Sequence, residues 1–353
     1  MLKSVLLTAA LALAAPAAEA QVAAPVINWS VVPEGRPDGS QVQLTIESQW
    51  APNHRSSWSN TRNISELQGL SLAQLRGSAA PARFALVRDA GRLDCTGSVG
   101  GGTGSGFCTL SPDPSFLSYL AAHGIARPDQ ADLFSLTMSG VGRDLIEAMD
   151  QLGYVRPTLD QLASMGIHGV TPAFVRGLAT SGYRLHSAED LVTFRIHGVD
   201  VDYIRAMAAA GPMLQRLPAQ DLVSLRIHGV QPGYVLQMAA IGPEFRNLTA
   251  ENLVSFAIHG VRPELVQAYV RANGRQINPD DVVSMAIHGV DSAFIGQMAA
   301  LGYRDLSADD LVSLRIHGVT PDYVQSLQRA GMAHLSADQL VRLRLAGFDG
   351  KSN

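Results

Sequence analysis

The sequence predicts an α+β chain: a small antiparallel β domain followed by an all-α solenoid of short helical hairpins. Three observations carry that prediction. One phrase, SADDLVSLRIHGVTPDYVQSLQRAG at 307–331, returns in varied form with a period of about 29–31 residues over roughly the last two-thirds of the chain. A repeat of that length made of paired helices is the signature of a solenoid. The earlier residues show instead the two-residue alternation of strands, punctuated by Gly, Pro, Asn and Asp. Hydrophobic content of 46% with 16% charged residues supplies a core and argues against a disordered chain.

Residues 1–20 read as a cleaved secretory leader. Lys3 gives the charged start, Val5 to Ala14 the apolar run, and Ala18-Glu19-Ala20 the small-residue cleavage site. The apolar run is shorter than the roughly 18 residues a membrane span needs, and no cysteine follows it to carry a lipid. The mature chain is therefore expected to be periplasmic or secreted, with no membrane span. A net charge of −4, with lysine only at Lys3 and Lys351, counts against nucleic-acid binding.

The β domain is expected over 21–112. Strand patterns fall at Val26–Val32, Gln41–Gln49, Arg83–Asp89, Arg92–Ser98 and Ser105–Leu110, with one helical turn within Ile64–Leu75 and a tight turn at Asp89-Ala90-Gly91. Both cysteines, Cys95 and Cys108, flank the stretch GSVGGGTGS in what reads as a second hairpin. In an oxidising compartment they should form a cross-strand disulfide. A redox-active pair would want CxxC at a helix start, which is not present. The glycine run 100–106 is followed by no helix and matches no phosphate-loop pattern, so it reads as a flexible hairpin tip.

The solenoid is expected over 113–348, with 349–353 a tail. The residue before each helix-stopping glycine serves as marker: Ser139, His168, His197, His228, His259, His288, His317 and Ala346. Ten residues earlier stand the caps Asp129, Thr158, Ser187, Pro218, Thr249, Asn278, Ser307 and Ser336, of which only Pro218 is a poor one. Acidic or amide side chains at the third helical position complete capping boxes. The second helices open with Pro172, Pro232, Pro263 and Pro321 at their first position, where proline has no N–H to waste. A valine after each turn, from Val170 to Val319, pairs with an apolar residue five on as a hydrophobic staple. Asn273 stands where the second helix usually ends in glycine, and is expected to take the left-handed turn.

The six histidines invite a metal hypothesis. Equivalent residues of stacked repeats lie roughly 10 Å apart, whereas a metal wants its ligands about 2 Å from one centre. His168, His197, His228, His259, His288 and His317 are thus expected to be a structural ladder at helix C-termini. Arg195, Arg226, Arg315 and Arg344, two before the marker, are either part of an anion-binding face or simply solvated; Ala257 and Ala286 interrupt them. No HExxH, GxSxG or SxxK motif occurs. No catalytic residue, cofactor or metal is expected.

The phrase LVSLRIHGVTPDYVQSLQRAG resembles helical repeats in bacterial proteins related to the β-lactam-sensing antirepressor membrane metallopeptidases. There the repeats follow the peptidase domain. Residues 64–70 (ISELQGL), 84–91 (FALVRDAG) and Gly97 with its Gly-rich hairpin resemble the small β module preceding such repeats. The chain departs in lacking HExxH and the transmembrane helices, so the resemblance implies an architecture and an envelope-signalling context but not proteolysis. The expected function is a non-enzymatic extracytoplasmic interaction protein, whose partner is a protein or other envelope component. The alternative is a soluble sensor binding a small ligand or metal at the domain junction near His123.

Overall fold

The computed structural model describes residues 25–35, 39–51, 54–183, 185–274 and 277–349. The expected leader lies outside them, as does all of the tail but Asp349. The chain divides into two compact units, one ending at Asp113 and the other beginning at Pro114.

The first unit is a seven-stranded antiparallel sheet of β1 (Val26–Pro33), β2 (Gln41–Ala51), β3 (His54–Asn63), β4 (Leu67–Gln68), β5 (Ala80–Val87), β6 (Gly91–Gly100) and β7 (Thr103–Pro112). The order is β3-β2-β1-β7-β6-β5-β4, and one five-residue helix, α1 (Leu72–Arg76), packs on it. Alternation puts Ile27, Trp29, Val31, Val42, Leu44 and Ile46 on the buried face, where they join Leu75 of α1. Strand β3 escaped the sequence reading. Its residues HRSSWSNTRN are nearly all polar, which suits an edge strand with solvent beside it. The turn between β5 and β6 is closed by a reciprocal pair of backbone bonds between Arg88 and Gly91.

Cys95 and Cys108 sit directly opposite in the β6–β7 ladder with Cα atoms 4.1 Å apart, and they are disulfide-bonded. Replacing both by alanine should lower unfolding free energy by about 3 kcal/mol, on the loop-entropy model. Urea titration of the oxidised chain and the variant checks this. The glycine tip is better held than expected: Gly101 and Gly102 donate to the carbonyls of Gly77 and Leu75 at the end of α1.

A second glycine feature shapes the sheet. Trp29 on β1 lies opposite Gly106 on β7, which lies opposite Gly97 on β6. The bare backbones make a trench for the indole, whose Nε1 donates to the Thr96 carbonyl at 3.1 Å. Phe84 closes its end edge-on, with centroids 4.9 Å apart. Near the end of β3, Glu66 pairs with Arg62 and Arg88. Burial alone would raise the Glu66 carboxyl, but the two guanidiniums outweigh it and hold it below its usual range.

The second unit opens with α2 (Pro114–Ala122). The first helices of successive repeats are α3 (Gln130–Ser139), α5 (Leu159–Ile167), α7 (Ala188–Ile196), α9 (Ala219–Ile227), α11 (Ala250–Ile258), α13 (Pro279–Ile287), α15 (Ala308–Ile316) and α17 (Ala337–Leu345). Between them come α4 (Arg143–Leu152), α6 (Pro172–Thr180), α8 (Val201–Ala210), α10 (Pro232–Ala239), α12 (Pro263–Asn273), α14 (Ser292–Ala300) and α16 (Pro321–Arg329). Most helices pack on the one two places along, α3 on α5 and α4 on α6, so that the unit is two parallel rows. Helices this short do not persist alone. Leu162, Leu191, Leu222, Leu253, Val282, Leu311 and Leu340, buried to 0–1%, tie the first row together.

The caps form as the sequence implies. Asp129, Thr158, Ser187, Thr249, Ser307 and Ser336 make reciprocal capping boxes, and Pro218 makes no side-chain cap bond. Asn273 does not take the left-handed turn expected of it. It remains within α12 and is buried, and Gly274 behind it takes the left-handed conformation at φ +60. Glycine adopts that conformation without a Cβ penalty, so the helix runs on to reach it. The two longer repeat spacings are filled by 3-10 turns at Pro212–Leu214 and Pro243–Asn247, which bury Leu214 and Phe245.

Candidate functional site

The repeated Ile-His-Gly turn is where the units of the array meet. Each of the six histidines is the C-cap of a first-row helix, and the following glycine is left-handed. At His317 the Val319 amide reaches back to the Leu314 carbonyl and the Gly318 amide to that of Arg315. This is the six-to-one and five-to-two pair that defines a Schellman end. The valine it delivers is buried at every turn, Val199 to 0% and Val319 to 1%. His288 and His317 also place Nδ1 2.8 Å from the carbonyls of Ser284 and Ser313 one turn earlier. The rings thus decorate helix ends and do not converge. Among the described residues no three His, Cys, Asp or Glu side chains could hold a metal ion. His123 is likewise tied locally: Nδ1 lies 2.8 Å from the Tyr119 carbonyl, Nε2 lies 3.6 Å from Asp150, and the ring rests on Tyr119.

The four arginines are placed alike. Each guanidinium lies over the ring of the preceding second-row helix: Arg195 over Phe174 at 5.2 Å, Arg226 over Tyr203 at 4.1 Å, Arg315 over Phe294 at 5.0 Å and Arg344 over Tyr323 at 5.1 Å. Arg226 Nε donates to the Gly198 carbonyl at 2.7 Å, and Arg195 Nε to that of His168 at 3.4 Å. The four arginines therefore clasp one repeat to the next through a cation–π contact, to which Arg195 and Arg226 add a bond to a carbonyl of the preceding turn. Arg226→Ala should cost about 1–2 kcal/mol in a denaturation series. Arg226→Lys should recover less than half of it, because an ammonium cannot stack flat and donate sideways together.

Beneath the clasp the Tyr203 hydroxyl donates to the Val230 carbonyl at 2.9 Å, and Tyr234 does the same to Val261. Burial pushes the Tyr203 phenol up to about 12, with Arg226 pulling the other way.

Next to the arginines stands what the sequence reading missed. Ile167, Ile196, Ile227, Ile258, Ile287 and Ile316 each expose 55–58% of their surface, and Leu345 exposes 68%. The half-buried Val192, Val223, Val254 and Val283, one turn back, widen the apolar ladder. The signal was available as helical phase. Ile316 follows the buried Leu314 by two residues, roughly 200° round an α-helix, so it cannot share the core face. Isolated exposed isoleucines are ordinary, but the same position exposed in consecutive repeats makes one stripe.

Among the described residues no helix is long and apolar enough to cross a membrane. Neither a family model nor a curated protein matches the chain.

Proposed function

We propose that the chain is a non-enzymatic interaction protein of an extracytoplasmic compartment, which presents the isoleucine ladder to a protein partner or another envelope component. The observation that carries this reading is the exposure of one large apolar side chain per repeat, at 55–58% from Ile167 to Ile316. Water-facing isoleucine at a fixed phase does nothing for the array's own core, and a repeated stripe is what a long binding surface on a solenoid requires. The Cys95–Cys108 disulfide supports an oxidising compartment, and the leader-like residues 1–20 supply the route there. The resemblance to repeats of antirepressor-type metallopeptidases gives the reading its context, that of an accessory to envelope signalling.

A photo-crosslinking residue at Ile258, with a control at exposed Gln297 on the other row, tests the proposal in native envelope. A discrete adduct is expected at 258 and not at 297. It should be abolished by Ile227→Asp without a change in Tm. Equal labelling at both sites, or none, would overturn the reading.

A further inference from the structure

Of the six His-Gly turns, two consecutive ones lack the arginine that closes the other four. Ala257 and Ala286 occupy the arginine position, and the rows they face are Tyr234 and Leu265. The consequence is visible at the glycines. A Cβ built on Gly169, Gly198, Gly289 or Gly318 would lie within 3.2–3.9 Å of the next repeat's guanidinium, whereas on Gly229 and Gly260 it would meet nothing within 4 Å. Rings beneath a guanidinium are buried, with Phe174, Tyr203, Phe294 and Tyr323 exposed by only 3–8%; in the vacant berths Tyr234 is half-buried, while Leu265 stays buried. Beside Gly260 and Ala286 the vacancy widens into a cavity of about 520 Å³, whose wall includes Leu265, Glu264 and Asp291 as well as Arg262 and Arg315.

We infer that these two berths bind arginine side chains supplied by the partner, as a polyproline-II segment carrying two arginines three residues apart. The chain itself supplies the template, since four equivalent berths already hold a guanidinium. In the first berth the Tyr234 ring and the turn carbonyl of Gly229 stand where Tyr203 and Gly198 receive Arg226. In the second, Leu265 takes the stem of the side chain and the Glu264 and Asp291 carboxylates replace the missing ring as partners for the charge. Consecutive repeats are roughly 10 Å apart, and a polyproline-II segment advances about 3.1 Å per residue with three residues per turn, which puts arginines three apart on one face at about that distance. Apolar residues between the two arginines would lie along Ile227, Ile258 and Ile287, the ladder on which this inference rests.

The test uses the full mature chain and a fluorescein-labelled hexapeptide with two arginines three apart and leucine between, against its lysine analogue. Anisotropy should show the arginine peptide binding at least tenfold more tightly. Ala257→Arg with Ala286→Arg should fill both berths from within, raising Tm and weakening the peptide at least tenfold. Tyr234→Leu, which leaves the berths unfilled, should weaken it at least threefold. Arginine and lysine peptides binding alike, no binding at millimolar peptide, or a filled variant that binds unchanged would each overturn the inference. If it fails while position 258 still yields its specific adduct, the ladder remains the interface and the berths are not its arginine pockets.

Discussion

Gly106→Ala is expected to cost the β unit more than 3 kcal/mol, enough to leave it largely unfolded. An ideal Cβ at Gly106 would stand 2.0 Å from the Thr96 carbonyl oxygen and 2.8 Å from Trp29 Nε1. The first clash is with backbone in the middle of a ladder, so no side-chain rotation relieves it. The second pushes the indole out of the trench and away from its bond to Thr96. Overpacking a core costs about 1–3 kcal/mol when neighbours can move and more when they cannot. Gly101→Ala is the control. Gly101 is left-handed at φ +63 but has nothing within 4 Å of its Cβ position, so only the conformational penalty of about 1 kcal/mol applies. Urea titrations followed by tryptophan fluorescence compare the two. Equal losses would mean that the trench does not fix the sheet.

The second large effect is alkaline. A phenol raised by folding gives stability that is whole below its unfolded pKa, near 10, and is lost as pH climbs through the folded value. Tyr203, pushed up to about 12, should therefore remove roughly 2–3 kcal/mol between pH 10 and pH 12. Burial moves Tyr234, Tyr154, Tyr183, Tyr303 and Tyr323 in the same direction. Their loss adds to that of Tyr203. Short-exposure thermal melts from pH 9 to 12 should show Tm falling steeply above pH 10. Tyr203→Phe should flatten the fall while costing the bond to Val230 at neutral pH. A Tm that is level to pH 12 would contradict the buried hydroxyls.

The repeats were legible because their boundaries are local chemistry. A Ser-x-x-Asp box such as Ser307 with Asp310, or the His317-Gly318 stop, needs only its own few residues. The Cys95–Cys108 pair was legible for a similar reason, since its two strands are neighbours in sequence. Strand β3 was not. Its polar residues carry no alternation because its place is set by pairing with β2 at the sheet's edge. The Trp29 trench also depends on three strands meeting in register, which no local pattern announces. At the candidate site the arginines were located correctly in the repeat, but their stacking on rings about 20 residues earlier became apparent only in three dimensions. Ile316 and its equivalents were legible in helical phase, but an isoleucine ordinarily belongs to a core, and only the structure shows the whole row facing water.

The two-row packing has a consequence for how such a chain changes over generations. Each helix touches its neighbours one repeat away and little else, so the repeat is a self-sufficient cassette. Excising residues 289–317 would join His288 to Gly318 and re-create an intact turn, with α17 inheriting the place of α15 against α13. Length can thus be gained or lost in whole cassettes without redesigning the interior. The pattern of arginine and alanine along the row can be shuffled by the same route, and recombination between repeats becomes a way of relocating a recognition site.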